Sequence, residues 1–403
     1  MGSKLFKCCL LLLSFCLFPL SSYASFSAVP GVGVRGDTLQ AFIGLADDPS
    51  AIYYNPGGLT QVKGTEVDVS TALIMPRMKY VNSNNNVETR STQKAMDGDL
   101  FLSHQLNDRW TVGLGFYAPF AGVSRNDTNA ATSNLNARAD LVRYDLVPTL
   151  AFRFNQYVSV GVGLVASYEA ADQDILGLHE YGGGYGYTGQ GGILFSLPDR
   201  KVRLGFVYRG PEIALVHGVG SGAGNEDFFR LRDRYPGTAG TGISWQINSK
   251  WLASLAADYE MWSYVNQVKR EYHNAVLDAA ATTDVDGKNT LTLRAGVMYL
   301  LDRVNEFRLG LSHSPAAVPA RNVSPAKPDY NATLLALGYS RYFKDSWRFD
   351  VGYQFAFAPW RHAGIDNNFP GKYRFVVNVL MAGLSYRFGG ANSSSQNYSY
   401  RNV

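Results

Sequence analysis

Beyond residue 16 this 403-residue sequence contains no cysteine, because Cys8, Cys9 and Cys16 are the only three. That excludes a disulfide scaffold, a thiolate metal site and a catalytic thiol from the rest of the chain. Charge is also scarce: Asp, Glu, Lys and Arg make up 17%, against about 25% in ordinary soluble domains. After the N-terminal segment no apolar run approaches the roughly 20 residues that a membrane-spanning helix needs. Histidine occurs six times, singly and without metal-ligand spacing, so no metal and no cofactor is expected. The net charge is +4, and taking away Lys4 and Lys7 leaves +2, which points to no nucleic-acid partner.

What the sequence does have is aromatic residues (13%) and 41 glycines. At the N-terminus, Lys4 and Lys7 precede an apolar stretch from Cys8 to Phe18, and Ser22-Tyr23-Ala24 is a small-x-small cleavage pattern. Residues 1–24 therefore read as a signal peptide. Cys16 lacks the small residues that should precede a lipoprotein cysteine. An exported chain that is aromatic, glycine-rich, poor in charge and free of spanning helices fits a transmembrane β-barrel of the bacterial outer membrane.

Two-residue periodicity supports this, since a barrel strand turns alternate side chains to lipid and to the lumen. Val202, Leu204, Phe206 and Tyr208 share one face, and Lys201, Arg203 and Arg209 the other. Trp347, Phe349, Val351, Tyr353, Phe355 and Phe357 lie opposite Arg348, Asp350 and Gln354. The same period runs through Trp110 to Phe116, and through Leu291 to Tyr299 opposite Arg294. A soluble sandwich would also alternate, but these apolar faces are unusually aromatic and the charges sparse, which favours lipid.

Short turns are expected at Asn107-Asp108, Asn155-Gln156, Pro198-Asp199, Asn248-Ser249, Asp302 to Asn305 and Lys344-Asp345. Between them fall long polar or Pro/Gly-rich connections near 80–97, 119–137, 172–184, 210–236, 274–289, 314–330 and 358–371. Strict alternation of six short and seven long connections predicts an all-β, antiparallel barrel of about 14 strands over residues 64–388, with both ends on the periplasmic side. Residues 251–273 are read as one long, bent strand. The stretch 172–184, with Gly182, Gly183 and Gly184, is read as a short external loop over a shallow vestibule.

The segment 25–63 cannot be strand. Pro49, Pro56 and the Gly57-Gly58 pair break both strand and helix. A ring of this size leaves an aqueous lumen unless something fills it, so the segment is expected to fold inside as a hatch, or plug. Within it, Asp47-Asp48-Pro49-Ser50-Ala51-Ile52-Tyr53-Tyr54-Asn55-Pro56-Gly57-Gly58-Leu59 resembles the hatch signature of the FadL-type outer-membrane transporters of long-chain fatty acids and aromatic hydrocarbons. Tyr235-Pro236, the run from Asp258 to Ser263, Arg308 to Pro315 with Val318-Pro319 and Pro328-Asp329, and the closing Gly383 to Phe388 follow in family order.

The resemblance implies passive uptake of hydrophobic small molecules through an apolar lumen pocket, with no energy source. The ligand would then leave sideways, through a gap in the wall beside a kinked strand. It places the moving hatch residues at Asn55, Pro56 and Gly57. Long-chain fatty acids are the expected ligand, with an aromatic hydrocarbon (toluene-type) channel or a general diffusion porin as alternatives; the hatch argues against the porin. Two departures stand out. Gly57 replaces the usual alanine, which suggests a looser hatch tip. Residues 389–403 run beyond Phe388, the aromatic that guides the barrel-assembly machinery, and are expected to form a disordered periplasmic tail. The expected partners are otherwise outer-membrane lipid, with the protein a monomer.

Lumen-facing Arg203, Arg294, Arg308 and Arg348 are candidates to hold a ligand carboxylate through charge-assisted bonds. Against that, interior charges in barrels mostly pair with one another and with a plug, and Asp258, Glu260 and Asp350 are at hand. No catalytic residue and no enzymatic activity are expected: the nearest Ser/His pairing, His313-Ser314, puts its members on opposite faces of a strand. Gly31 to Gly36 matches G-x-G-x-x-G but lacks the βαβ context of a dinucleotide site. Asp284-Val285-Asp286-Gly287 resembles the front of a calcium loop but lacks its closing acid.

Overall fold

The structure is a computed structural model that describes residues 31–125, 138–175, 178–199, 201–222, 224–278, 282–325, 327–343, 346–364, 366–367 and 369–388. The expected signal peptide and periplasmic tail, and part of the 119–137 connection, lie outside the described residues. The strands in chain order are β1 (Thr65–Asn82), β2 (Glu88–Ser91), β3 (Ala95–Gln105), β4 (Trp110–Arg125), β5 (Arg138–Arg153), β6 (Val158–Ile175), β7 (Leu178–Ser196), β8 (Val202–Arg209), β9 (Glu212–Gly222) and β10 (Asn225–Tyr235). They continue with β11 (Thr238–Gln246), β12 (Trp251–Glu260), β13 (Gln267–Tyr272), β14 (Thr282–Asp284), β15 (Thr290–Leu300), β16 (Asn305–Ser314), β17 (Ala332–Phe343), β18 (Trp347–Ala363) and β19 (Gly371–Phe388).

Fourteen of these form a closed antiparallel ring: β1, β3 to β8, β11, β12 and β15 to β19. The closing ladder pairs β1 with β19 over its full length, from Thr65↔Phe388 to Asn82↔Gly371. The alternation sorts as the sequence implies. Phe206 is 48% exposed on the outer wall and Arg203 only 7% exposed in the lumen. Phe349, Tyr353 and Phe357 face out, whereas Arg348, Asp350 and Gln354 are buried inside.

The short turns at the periplasmic end share one device. Asn107, Asn155, Asn248 and Asp302 each accept bonds on their side-chain oxygen from backbone N–H groups two and three residues ahead, at 2.8 to 3.0 Å. Such Asx geometry mimics a backbone turn and explains why Asn and Asp mark these reversals.

Three connections differ from expectation. Gly182 to Gly184 are not loop; they lie in β7, and β6 runs out to Ile175 against it. A Cβ at Gly182 or Gly184 would collide with the β9 backbone at His217 and Leu215, so glycine is what lets these strands approach. Residues 210–236 are not a simple loop either. β8 continues past Gly210-Pro211 as β9, and β10 continues past Pro236-Gly237 as β11, so a long hairpin rises beyond the ring and pairs with the outer half of β7. Finally, 251–273 is not one strand. β12 ends at Glu260, a 3₁₀ turn at Trp262–Tyr264 buries Trp262, and β13 leaves the wall to pair with β10. Trp262 donates its indole N–H to Glu260 Oε2 at 2.7 Å, which fixes the break.

Most of the lumen is polar, but the inner face of β19 is apolar from Tyr373 through Phe375, Val377 and Val379 to Met381. It merges with inward residues of β1 (Ile74, Met78, Tyr80), β17 and β18, and the external connections lay Val323, Tyr330 and Phe369 against it.

Candidate functional site

Residues 31–62 sit inside the ring, and nearly all are buried. A short helix, Val34–Leu39, starts after Gly33, whose N–H donates to Asp99 Oδ2 of β3 at 2.9 Å. This is the role of the G-x-G-x-x-G stretch: a turn fixed to the wall. A second helical turn, Ala51–Tyr54, leads into the extended Asn55 (φ −165°) and then a 3₁₀ turn, Pro56–Gln61. Pro56 opens that turn with its fixed φ, and Asn55 caps it by accepting from the Gly57 N–H at 3.1 Å.

Two kinds of contact hold the hatch. On the β16 to β19 side they are ionic. Arg35 donates Nε to Glu306 Oε1 at 2.8 Å and also pairs with Asp47. Arg308 donates to Thr38 Oγ1 at 2.7 Å and to Glu306 Oε1 at 2.6 Å. Arg348 reaches Asp48 at 3.4 Å, Asp350 at 2.8 Å and Asp68. On the β6 to β8 side, among the described residues, no ion pair reaches the hatch, and its bonds there run between uncharged side chains and backbone or from Arg209 to a backbone carbonyl. Asn55 Nδ2 donates to Ile43 O at 3.0 Å and to Ile193 O of β7 at 3.1 Å. Ser159 donates to Gly57 O at 2.8 Å, and Gln190 to Ile52 O at 2.6 Å.

That second contact depends on the wall lacking side chains. A Cβ at Gly161 would collide with Pro56, one at Gly192 with Asn55 Oδ1, and one at Gly205 with Ile43 and Asn55. Gly57 itself lies against β6 and β7, where an added Cβ would meet backbone atoms at 3.0 Å. The hatch tip is therefore closely seated rather than loose, and the glycine is what permits the approach.

The wall is interrupted beside this loop. Among the described residues the β3–β4 ladder runs only from Gln105↔Thr111 to Leu100↔Phe116. Above it β4 bulges between Tyr117 and Phe120, at Ala118-Pro119, and pairs with β5 alone. The β5–β6 ladder also skips Val147 and Pro148. Tyr53 of the hatch packs edge-on against Tyr117 at 5.3 Å, directly inside this interruption.

Behind the bulge lies a cavity of about 100 Å³. Ile43, Tyr53 and Tyr54 of the hatch form its floor, Pro119 and Phe120 one side, and Arg209 and Arg294 the other. The four arginines singled out in the sequence thus separate. Arg294 lines the cavity, bound to Asp258 at 2.7 Å and to Gln40 of the hatch at 3.0 Å. Arg308 and Arg348 lie in the ionic cluster, and Arg203 is buried on the inner face of β8. Arg209 was not among them. It covers the Tyr53 ring at 4.6 Å, and its hydrogen bonds go to neutral acceptors, Tyr53 O at 3.3 Å and Gln190 Oε1 at 3.0 Å. The alternation along 201–209 puts it on the lumen face with Arg203, and its place at the end of β8, before Gly210-Pro211, brings it to the hatch. Asp286 of the calcium-like stretch instead bonds Arg321 and Asn322.

A ring of fourteen strands, a hatch in the lumen and a broken ladder beside it can be compared with known proteins. Residues 36–181 and 214–388 match the family described as Outer membrane protein transport protein (OMPP1/FadL/TodX). The chain belongs to this family. It is a β-barrel of the bacterial outer membrane, and the family is one of transport channels, not of enzymes. The long-chain fatty acid transport protein of Escherichia coli K12 is 24% identical over 276 residues, covering 64% of this chain and 59% of that protein. The chain thus aligns with less than two thirds of that relative's length. Among solved structures, a Pseudomonas aeruginosa FadL homologue superposes with a TM-score of 0.77 at 16% identity, over 91% of this chain and all of the other. The Ralstonia pickettii toluene transporter TbuX gives 0.70 at 14% identity, over 89% and 99%. At such identities the structural likeness speaks for the fold.

Proposed function

We propose that this protein is a passive channel for hydrophobic compounds, most simply long-chain fatty acids, that enter from outside, rest against the hatch and leave sideways through the β3–β4 interruption. The observation that carries this reading is the cavity lined by Tyr53 and Tyr54 of the hatch, next to the Asn55–Pro56 loop, and by Pro119 and Phe120 of the bulge. A small movement of Tyr53 and the following loop would connect cavity and gap without unzipping the barrel. The apolar inner wall along β19 suits an aliphatic or aromatic cargo on the external approach. Arg209 favours a carboxylate over a bare hydrocarbon, because none of its hydrogen bonds goes to an acid, and a charge-assisted bond there contributes roughly 1.5–3 kcal/mol.

Uptake of radiolabelled oleate and of toluene, in cells lacking their own transporters for such compounds, tests this. Oleate uptake that depends on the protein, and that Pro56→Ala slows without loss of the folded band on an unheated gel, is the expected result. Arg209→Ala should reduce oleate uptake several-fold and leave toluene untouched. Toluene uptake alone would make the protein a hydrocarbon channel, and neither signal from a folded barrel would remove the substrate class.

A further inference from the structure

Outside the lumen, at the external rim, five cations share one outward face of the β2–β1–β19 sheet. The register puts Arg374 directly opposite Lys79, and Lys79 directly opposite Arg90. Arg77 lies one outward position below Lys79, and Lys372 one beyond Arg374. Like charges facing each other across a ladder are destabilising unless something anionic sits between them. Glu88 pairs with Lys79 and Arg90, but among the described residues no carboxylate is within ion-pair distance of Arg77, Lys372 or Arg374. At the nearby β18–β19 register shift, Trp360 presents its ring to both Lys79 and Arg374, at 5.7 and 5.9 Å.

Height identifies the surroundings of this patch. Arg374 lies fourteen residues up β19 from Phe388, or roughly 46 Å along the strand and about 35 Å along the barrel axis at the usual tilt. The apolar belt of such barrels is about 25 Å tall. The row therefore stands above the hydrocarbon, at the level of the outer leaflet's headgroups, with Leu380 and Phe357 exposed on the wall below it. A cluster of four or more cations beside a membrane surface is the chemistry that recognises phosphorylated lipid headgroups. A rigid sheet adds fixed spacing, and guanidinium adds bidentate geometry.

We infer that Arg77, Lys79, Lys372 and Arg374, with Trp360, form a binding site on the barrel's outer wall for the phosphorylated headgroup of an outer-leaflet glycolipid, its acyl chains lying along Leu380 and Phe357. The site is separate from the transport route, so its failure and that of the proposed function are distinguishable. Titrating the full-length protein in neutral detergent with bis-phosphorylated lipid A, followed by native mass spectrometry, tests it. The expected result is a bound lipid whose affinity falls at least tenfold on removal of its phosphates. It should fall equally in an Arg77→Ala/Lys79→Ala/Arg374→Ala variant whose folded band and oleate uptake are unchanged. Equal binding by the dephosphorylated lipid, which needs no variant, overturns the site, as does equal binding by the variant. Equal binding of phosphatidylglycerol overturns the commitment to a glycolipid.

Discussion

The two sides of the hatch are held by different physics. Toward β16 to β19, Arg35, Arg308 and Arg348 interlock with Asp47, Asp48, Glu306 and Asp350, all buried. Toward β6 to β8, Asn55 donates to Ile193 O of β7, Gly57 O accepts from the Ser159 hydroxyl, and the loop lies against a wall of glycines without an ion pair. Removing one member of a buried ionic cluster leaves a partner uncompensated, at a cost of roughly 3–5 kcal/mol, whereas a neutral hydrogen bond contributes only about 1 kcal/mol. One side is thus an anchor and the other a latch. The latch lies against the segment that reaches the cavity and the broken β3–β4 ladder, so the weakly held half is the half whose movement would matter.

Removing the anchor should have the largest effect. Glu306→Ala deprives both Arg35 and Arg308 of an acceptor and should cost about 3–5 kcal/mol of hatch seating. The variant should unfold at lower temperature on a semi-native gel and admit hydrophilic antibiotics that the native protein excludes. Unchanged melting and unchanged exclusion would show that the ionic side anchors nothing. Gly192→Ala tests the latch from the wall. Its new Cβ collides with Asn55 Oδ1, and such overpacking costs about 1–3 kcal/mol. The barrel should still fold while single-channel conductance in planar bilayers rises. A native conductance would mean that the loop accommodates the methyl group and that the glycine wall is incidental.

Much of the fold was legible because lipid imposes it. Alternation around Phe206 and Phe349, and Asx residues at the short turns, are local signals read without knowing any partner. The misread segments are those where the local signal was absent. Gly182 to Gly184 carry no side chains to alternate, so a strand looked like loop. The β9–β10 hairpin rises beyond the ring, and its Pro211 and Pro236 breaks disguised the continuity. The hatch loop was visible in Asn55-Pro56-Gly57, but its partners were not. Arg35 lies 271 residues from Glu306, and Asn55 lies 138 from Ile193. For Arg209 the alternation gives the lumen face but not the cavity, since its neighbours Tyr53 and Gln190 meet it only in the closed ring.

The smallest expected effect is also the sharpest test of anchor against latch. Asn55→Ala removes the bonds to Ile43 O and Ile193 O together with the cap on Gly57, and leaves every ionic contact of Arg35 and Arg308 in place. Bonds of this kind contribute about 0.5–1.5 kcal/mol each; even at the lower figure the three together give about 1.5 kcal/mol, so local opening of the loop should become at least tenfold more frequent. Hydrogen exchange should accelerate by that factor at the Asn55, Gly57 and Gly58 amides. It should stay unchanged at Asp37 and Gln40, whose helix lies on the ionic side. If both groups accelerated together, the hatch would be moving as one body, and the division into a fixed half and a mobile half would be wrong.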